Sequence, residues 1–209
     1  MPRSISRLED EVFRRCHRVN AVAIPNRVTT IGDRAFSECG LAHVVIPNTV
    51  TNIGVNAFSS CTNLTNITIP DSVATIGIAA FANCTHLTSV RIPRGVTIIR
   101  GGAFAGAELT HVTIPNGVTA IQDGAFESCT SLVSAVIPNS VTNVGYEAFS
   151  GCTNLGALYF EGNAPKLMAG AFLGASNLTV YHLLGTVGWG STFGGRPTRL
   201  DPHSSTPLN

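Results

Sequence analysis

Charge is what this sequence has least of. Charged residues make up 12% of the 209, about half the share that an ordinary globular domain carries. Thirteen Lys plus Arg against twelve Asp plus Glu leave a formal net charge of +1, so no strong overall field draws the chain to nucleic acid or to an anionic membrane surface. No nucleic-acid partner is expected. The one basic concentration, Arg3, Arg7, Arg14, Arg15 and Arg18, is interrupted by Glu9, Asp10 and Glu11 and reads as a solvated N-terminal edge. Long hydrophobic runs are missing too: nowhere do about 18 apolar residues follow one another, the length a transmembrane helix needs, and no membrane insertion is expected. The opening segment MPRSISRLEDEVFRRCHRVN has a basic start but no apolar stretch of signal-peptide length. As written the chain would stay in the cytoplasm, although it opens inside a repeating unit, as a fragment or a chain with an uncertain start codon does. The sequence also has no G-x-S-x-G elbow and no G-x-x-x-x-G-K or G-x-G-x-x-G phosphate loop, which removes the usual signatures of hydrolases and nucleotide enzymes.

What the chain does have is repetition. Phenylalanine recurs at Phe13, Phe36, Phe58, Phe81, Phe104, Phe126, Phe149 and Phe172, in steps of 22 or 23 residues. Proline follows isoleucine at Pro25, Pro47, Pro70, Pro93, Pro115 and Pro138. The unit reads I-P-x-x-V-T-x-I-G-x-x-A-F-x-x-C-x-x-L-x-x-V-x. Six complete copies start at Ile24, Ile46, Ile69, Ile92, Ile114 and Ile137, after a half copy from Leu8 and before a degenerate one from Phe160. A fixed period of this size signals a stacked, quasi-one-dimensional architecture.

Each part of the unit has a local reading. The segment L-x-x-V-x-I, as in Leu64, Ile67 and Ile69, alternates apolar residues and reads as a short strand. Proline, with fixed φ and no amide donor, ends the ladder and turns the chain out of the sheet. V-T-x-I, such as Val50 to Ile53, points a second apolar pair inward from another side of the coil. The stretch Asn56-Ala57-Phe58-Ser59-Ser60-Cys61 lacks β-branched residues and reads as one or two helical turns. The expected fold class is α/β: a solenoid with a parallel concave sheet, short second strands, and short helical turns on the other side. One unit cannot bury its own apolar side, so neighbouring copies must stack into one core.

IPDSVATIGIAAFANCTHLTSVRIP and its five less perfect siblings resemble the BspA-like branch of leucine-rich repeats, found in bacterial and protist surface proteins. The match runs from residue 8 to about 183. Gly162-Asn163-Ala164-Pro165 and the tract Gly188 to Thr198 resemble a C-terminal end module of bacterial members. The expected division is therefore a solenoid over 1–183 and a cap and tail over 184–209, with Trp189 and Phe193 shielding the last coil. The resemblance implies an extracellular or cell-surface location, adhesion and protein binding.

The cysteines Cys16, Cys39, Cys61, Cys84, Cys129 and Cys152 all stand three residues after a Phe, and Ala107 fills the same slot in one copy. They read as buried free thiols in a ladder. No C-x-x-C pair or His cluster suggests zinc, and neither metal nor cofactor is expected. The recurring Gly32, Gly54, Gly77 and Gly145 call for a positive φ or for close contact between coils, and Arg100 and Gln122 at the same slot favour the second. N-x-T triplets at Asn63, Asn66, Asn83 and Asn177 are by-products of the consensus.

On the strand, residues two and four beyond the leading Leu face outward. In order they are Ala21 and Ala23, His43 and Val45, Asn66 and Thr68, Ser89 and Arg91, His111 and Thr113, Ser134 and Val136, Ala157 and Tyr159, then Val180 and His182. None is acidic, so the face offers no paired carboxylates for acid-base catalysis. His43 and His111 stand three copies apart, about 14 Å at strand spacing, too far to share a metal. The expected function is a non-catalytic protein-binding or adhesion module whose face is centred on His43, Asn66, Ser89, Arg91, His111 and Tyr159, with a protein or glycan as ligand. The alternative is a structural spacer within a larger surface protein.

Overall fold

The computed structural model describes residues 5–204; Arg3 and the expected tail beyond 204 lie outside them. The chain is a parallel β-solenoid of about eight coils, each contributing one strand to each of two ladders. The L-x-x-V-x-I segments form the first. His111–Thr113, Ser134–Ile137, Ala157–Phe160 and Thr179–His182 pair in parallel, and Arg196–Leu200 continues this sheet. Towards the N-terminus Ala21–Ala23 pairs with His43–Val45, and Asn66–Ile67 with Ser89–Val90. The V-T-x-I segments form the second ladder of two-residue strands in two runs, from Arg7–Leu8 to Thr75–Ile76 and from Ile98–Ile99 to Lys166–Leu167, with no pairing between Thr75–Ile76 and Ile98–Ile99.

Between the ladders runs a single apolar core. Phe36, Phe58, Phe81, Phe104, Phe126 and Phe149 are fully buried and stack ring on ring from Phe13 onward, with centroids 5.2–5.6 Å apart. Offset stacking adds about 0.5–1.5 kcal/mol per pair beyond the area each ring buries. At the C-terminal end the stack tilts: Phe172 lies 6.3 Å from Phe149, and Phe193 lies 6.2 Å from Phe172 and 5.0 Å from Trp189.

The third side of the coil is not helical. Among the described residues there is no helix, and the A-F-x-x-C stretch is a chain of tight turns. The cause is a pair of left-handed residues in every coil, two before and two after the Phe. Arg34 and Glu38 flank Phe36, Asn56 and Ser60 flank Phe58, and Ala79 and Asn83 flank Phe81, all with φ between 52° and 61°. Gly102 with Gly106, and Gly170 with Gly174, take the same slots further along. A residue at positive φ every fourth position stops a right-handed helix from propagating. It also turns alternate amides outward along the stack: Asn56, Phe58 and Ser60 donate to the carbonyls of Ile78, Ala80 and Ala82 one coil on, at 2.7–2.9 Å. This side is thus a third inter-coil hydrogen-bond ladder, and the expected helical turns are corrected to paired β-turns.

The polar composition follows from the same stacking. Thr51, Thr119 and Thr142 donate their hydroxyls to backbone carbonyls of the preceding coil at 3.2–3.3 Å. Asp10, Asp33 and Asp123 accept the amides of Asp33, Val55 and Tyr146 at 2.8–2.9 Å. Gly54 has no positive φ; a Cβ there would stand 2.7 Å from the Gly32 carbonyl carbon and 2.8 Å from the Asp33 nitrogen, so close approach of coils demands the glycine. Of the N-terminal arginines, Arg7, Arg14 and Arg15 are paired rather than only solvated. Arg15 reaches Glu38 at 3.0 Å, Arg34 reaches Glu11 at 3.3 Å, and Arg14 bridges Glu11 and Glu38 at 3.2 and 3.4 Å.

Candidate binding surface

Two rows of side chains stand on the outer surface of the first ladder. One follows His43, Asn66, Ser89, His111, Ser134, Ala157 and Thr179; the other follows Val45, Thr68, Arg91, Thr113, Val136, Tyr159, Tyr181 and Arg199. Five of the six centred residues, His43, Asn66, Ser89, Arg91 and His111, are exposed, and Tyr159 is half-buried. They share one face but do not converge on a point, because each stands on its own coil.

The last coil departs from the expected register. Val180 pairs with Leu158 and is fully buried, while Tyr181 pairs with Tyr159. The strand begins one residue sooner after Leu178 than its predecessors do after their leucines, so Thr179 and Tyr181, not Val180 and His182, continue the outer rows. Tyr181 stacks on Tyr159 with ring centroids 5.1 Å apart and planes 16° apart. Arg199 is next in register and exposed. His182 instead stacks on Trp189 at 5.1 Å. Within the described residues this is the largest aromatic feature of the outer face, and the consensus spacing hid half of it.

Arg91 is also not a free charge. Its guanidinium donates to both Asp71 oxygens at 2.8 and 2.9 Å, which holds the Asp71 carboxyl below its usual value. Asp71 sits on the turn of the preceding coil, directly after Pro70, within reach of the strand that follows it in the stack.

Cys39, Cys61, Cys84, Cys129 and Cys152 are buried and free, and each donates its S–H to the carbonyl of the Phe one coil back, at 2.7–3.2 Å. Burial pushes the Cys61 thiol up to about 12 and the Cys84 thiol higher still; a hydrogen bond to Cys152, together with burial, raises Cys129. Thiol chemistry runs through the thiolate, which these sites suppress. Among the described residues no group of three or more His, Cys, Asp or Glu converges as a metal would require, and no helix is long and apolar enough to cross a membrane.

Coils of 22 or 23 residues with an apolar strand in each, stacked through parallel ladders, make this a leucine-rich-repeat solenoid. The model of the BspA type leucine rich repeat region (6 copies) matches residues 1–108 and 97–187, and the chain belongs to that family, whose repeats are typically non-catalytic. No curated protein sequence matches the chain. Among solved structures, a leucine-rich repeat protein from Bacteroides ovatus is 28% identical, covering 87% of this chain and 54% of its own, with a TM-score of 0.69. The chain thus spans about half the length of that protein. The leucine-rich repeat protein of T. pallidum is 33% identical, covering 72% of each chain, with a TM-score of 0.67. A leucine-rich cell surface protein from Faecalibacterium prausnitzii is 28% identical over 78% of this chain and 59% of its own, with a TM-score of 0.49.

Proposed function

We propose that this chain is a non-catalytic protein-binding or adhesion module of the cell surface, working through the outer face of its first ladder. The residues are His43, Asn66, Ser89, Arg91, His111 and Tyr159, joined by Tyr181 and Arg199. The observation that carries the reading is the row Tyr159, Tyr181, Arg199 in strict register. Tyr and Arg are the side chains in which binding energy concentrates, and two rings already stacked lose little further freedom when a partner covers them. Small neighbours, Ala157, Thr179 and Ser134, flank the row. The segment from 184 onward caps the core beneath this row. No cofactor or metal enters the proposal.

A peptide phage-display selection against the intact chain tests it. Enriched peptides should lose binding to a Tyr159→Ala, Tyr181→Ala variant and keep it for a Tyr146→Ala control, which alters an exposed tyrosine on the turn side. Peptides that bind the double variant as well as the native chain would sink the reading and leave the solenoid as a spacer.

A further inference from the structure

Among the described residues the first ladder is reduced to a single bridge, Val45 to Thr68, at one junction and has no bridge at all at another. Ser89–Val90 and His111–Thr113 do not pair as strands, although the two coils stay joined by the Thr110 amide donating to the Thr88 carbonyl at 3.2 Å, and both have paired partners on their other sides. Beyond that bond, at Arg91 and Thr113, lies a cleft of about 680 Å³, within the size range of small-ligand sites.

We infer that this cleft is a subsite for an acidic saccharide, a sugar ring carrying a carboxylate or a sulfate. Its polar lining consists of Arg91, Arg94, His111, Thr113 and Asn116, and no carboxylate lines it. Asp71, just outside, is committed: both its oxygens take the Arg91 guanidinium, and Oδ1 also accepts the Arg94 amide at 3.4 Å. Asp71 therefore fixes the Arg91 guanidinium and holds the Arg94 backbone, while among the described residues no carboxylate oxygen lies within 4 Å of the Arg94 guanidinium. Arg94 and the outer edge of Arg91 hold the acidic group. Three further hydrogen-bonding side chains, His111, Thr113 and Asn116, in the same small space match the hydroxyls of a sugar, whereas an acidic peptide side chain would use the charge alone. Pro115 offers an apolar wall for a ring face.

The inference rests on the reading that this face binds, since Arg91 and His111 belong to it, but the Tyr159–Tyr181 pair is not part of the cleft lining. Titration calorimetry on the intact chain would compare four probes: trigalacturonate, a sulfated galactan tetrasaccharide, maltotriose and hexaglutamate. At least one acidic saccharide should bind, with maltotriose and hexaglutamate weaker; which of the two binds separates carboxylate from sulfate recognition. Arg94→Ala should weaken that binding about tenfold or more and Asn116→Ala several-fold, both with native melting. Tyr159→Ala with Tyr181→Ala should leave it unchanged. Absence of binding to both acidic saccharides, maltotriose binding equally, hexaglutamate binding more tightly, or indifference to Arg94→Ala would each overturn the inference. If saccharides fail while selected peptides still depend on the two tyrosines, the subsite falls and the binding face stands.

Discussion

Ala79 and Gly102 occupy the same slot in successive coils, two residues before the Phe, with φ of 52° and 61°. Exchanging their identities should move stability in opposite directions. An L-residue in the left-handed region costs about 1–2 kcal/mol, and glycine gives back about 0.5–1 kcal/mol through the freedom it loses on folding. Ala79→Gly should therefore stabilise the chain by about 0.5–1 kcal/mol, in line with the usual size of such backbone effects. Gly102→Ala should destabilise it by a similar amount, because a Cβ there would meet the Ala79 Cβ at 3.7 Å, ordinary van der Waals contact, and adds no clash. In a chain of this size each change should shift the thermal midpoint by roughly 1–4 °C, and the double variant should return close to the wild type. Urea and thermal unfolding followed by circular dichroism would read the sign directly. If both single variants melt lower, side-chain contact rather than backbone conformation governs the slot, and the account of the turn ladder is wrong.

Phe81→Ala removes a ring stacked 5.3 Å from Phe58 and 5.6 Å from Phe104; the cavity should cost about 3–5 kcal/mol, and an unchanged melting midpoint would refute it. The buried thiols predict alkaline destabilisation. Between pH 9 and about 12 the unfolded chain releases the Cys61 proton while the folded chain keeps it, so the unfolded state binds fewer protons and stability falls as pH rises, by at most about 1.4 kcal/mol per pH unit for each such thiol. Below pH 9 the contribution is present in full. Urea midpoints at pH 8 and pH 10 should differ less in a Cys61→Ala, Cys84→Ala, Cys129→Ala variant, which copies the residue that Ala107 already places in this slot; equal pH dependence would contradict the raised thiols.

The apolar skeleton was readable from the sequence because stacking repeats the same contact: Phe58, Ile67 and Ile53 each face their own equivalents, so periodicity and packing carry one message. The turn side misled because absence of β-branched residues suits a helix and a run of turns alike. The deciding signal was present in Gly102, Gly106, Gly170 and Gly174, which recur at two fixed offsets from Phe. It was masked in the earlier coils, where Arg34, Glu38, Asn56 and Ser60 adopt glycine's conformation. His43, Asn66, Ser89, Arg91 and His111 were placed on the outer face by alternation alone. Tyr181 was missed because a one-residue shortening after Leu178 inverts which side chains face out, the ordinary penalty of a period of two. The Arg91–Asp71 pair joins positions 20 apart in sequence, visible only once the coils are laid over one another.

The three ladders of inter-coil hydrogen bonds give the molecule a mechanical character. Neighbouring coils are joined side by side, so a pull separating the first coil from the last loads the coil junctions in series, and the weakest junction yields first. Each junction that opens frees a coil of 22 or 23 residues, on the order of 70 Å of extended chain, while the remaining coils keep their stacked rings and bonds. The solenoid is built to lengthen under tension in coil-sized steps, as a shock absorber would, and its weak point is the junction where Ser89–Val90 and His111–Thr113 are unpaired in the first ladder and Thr75–Ile76 and Ile98–Ile99 are unpaired in the second.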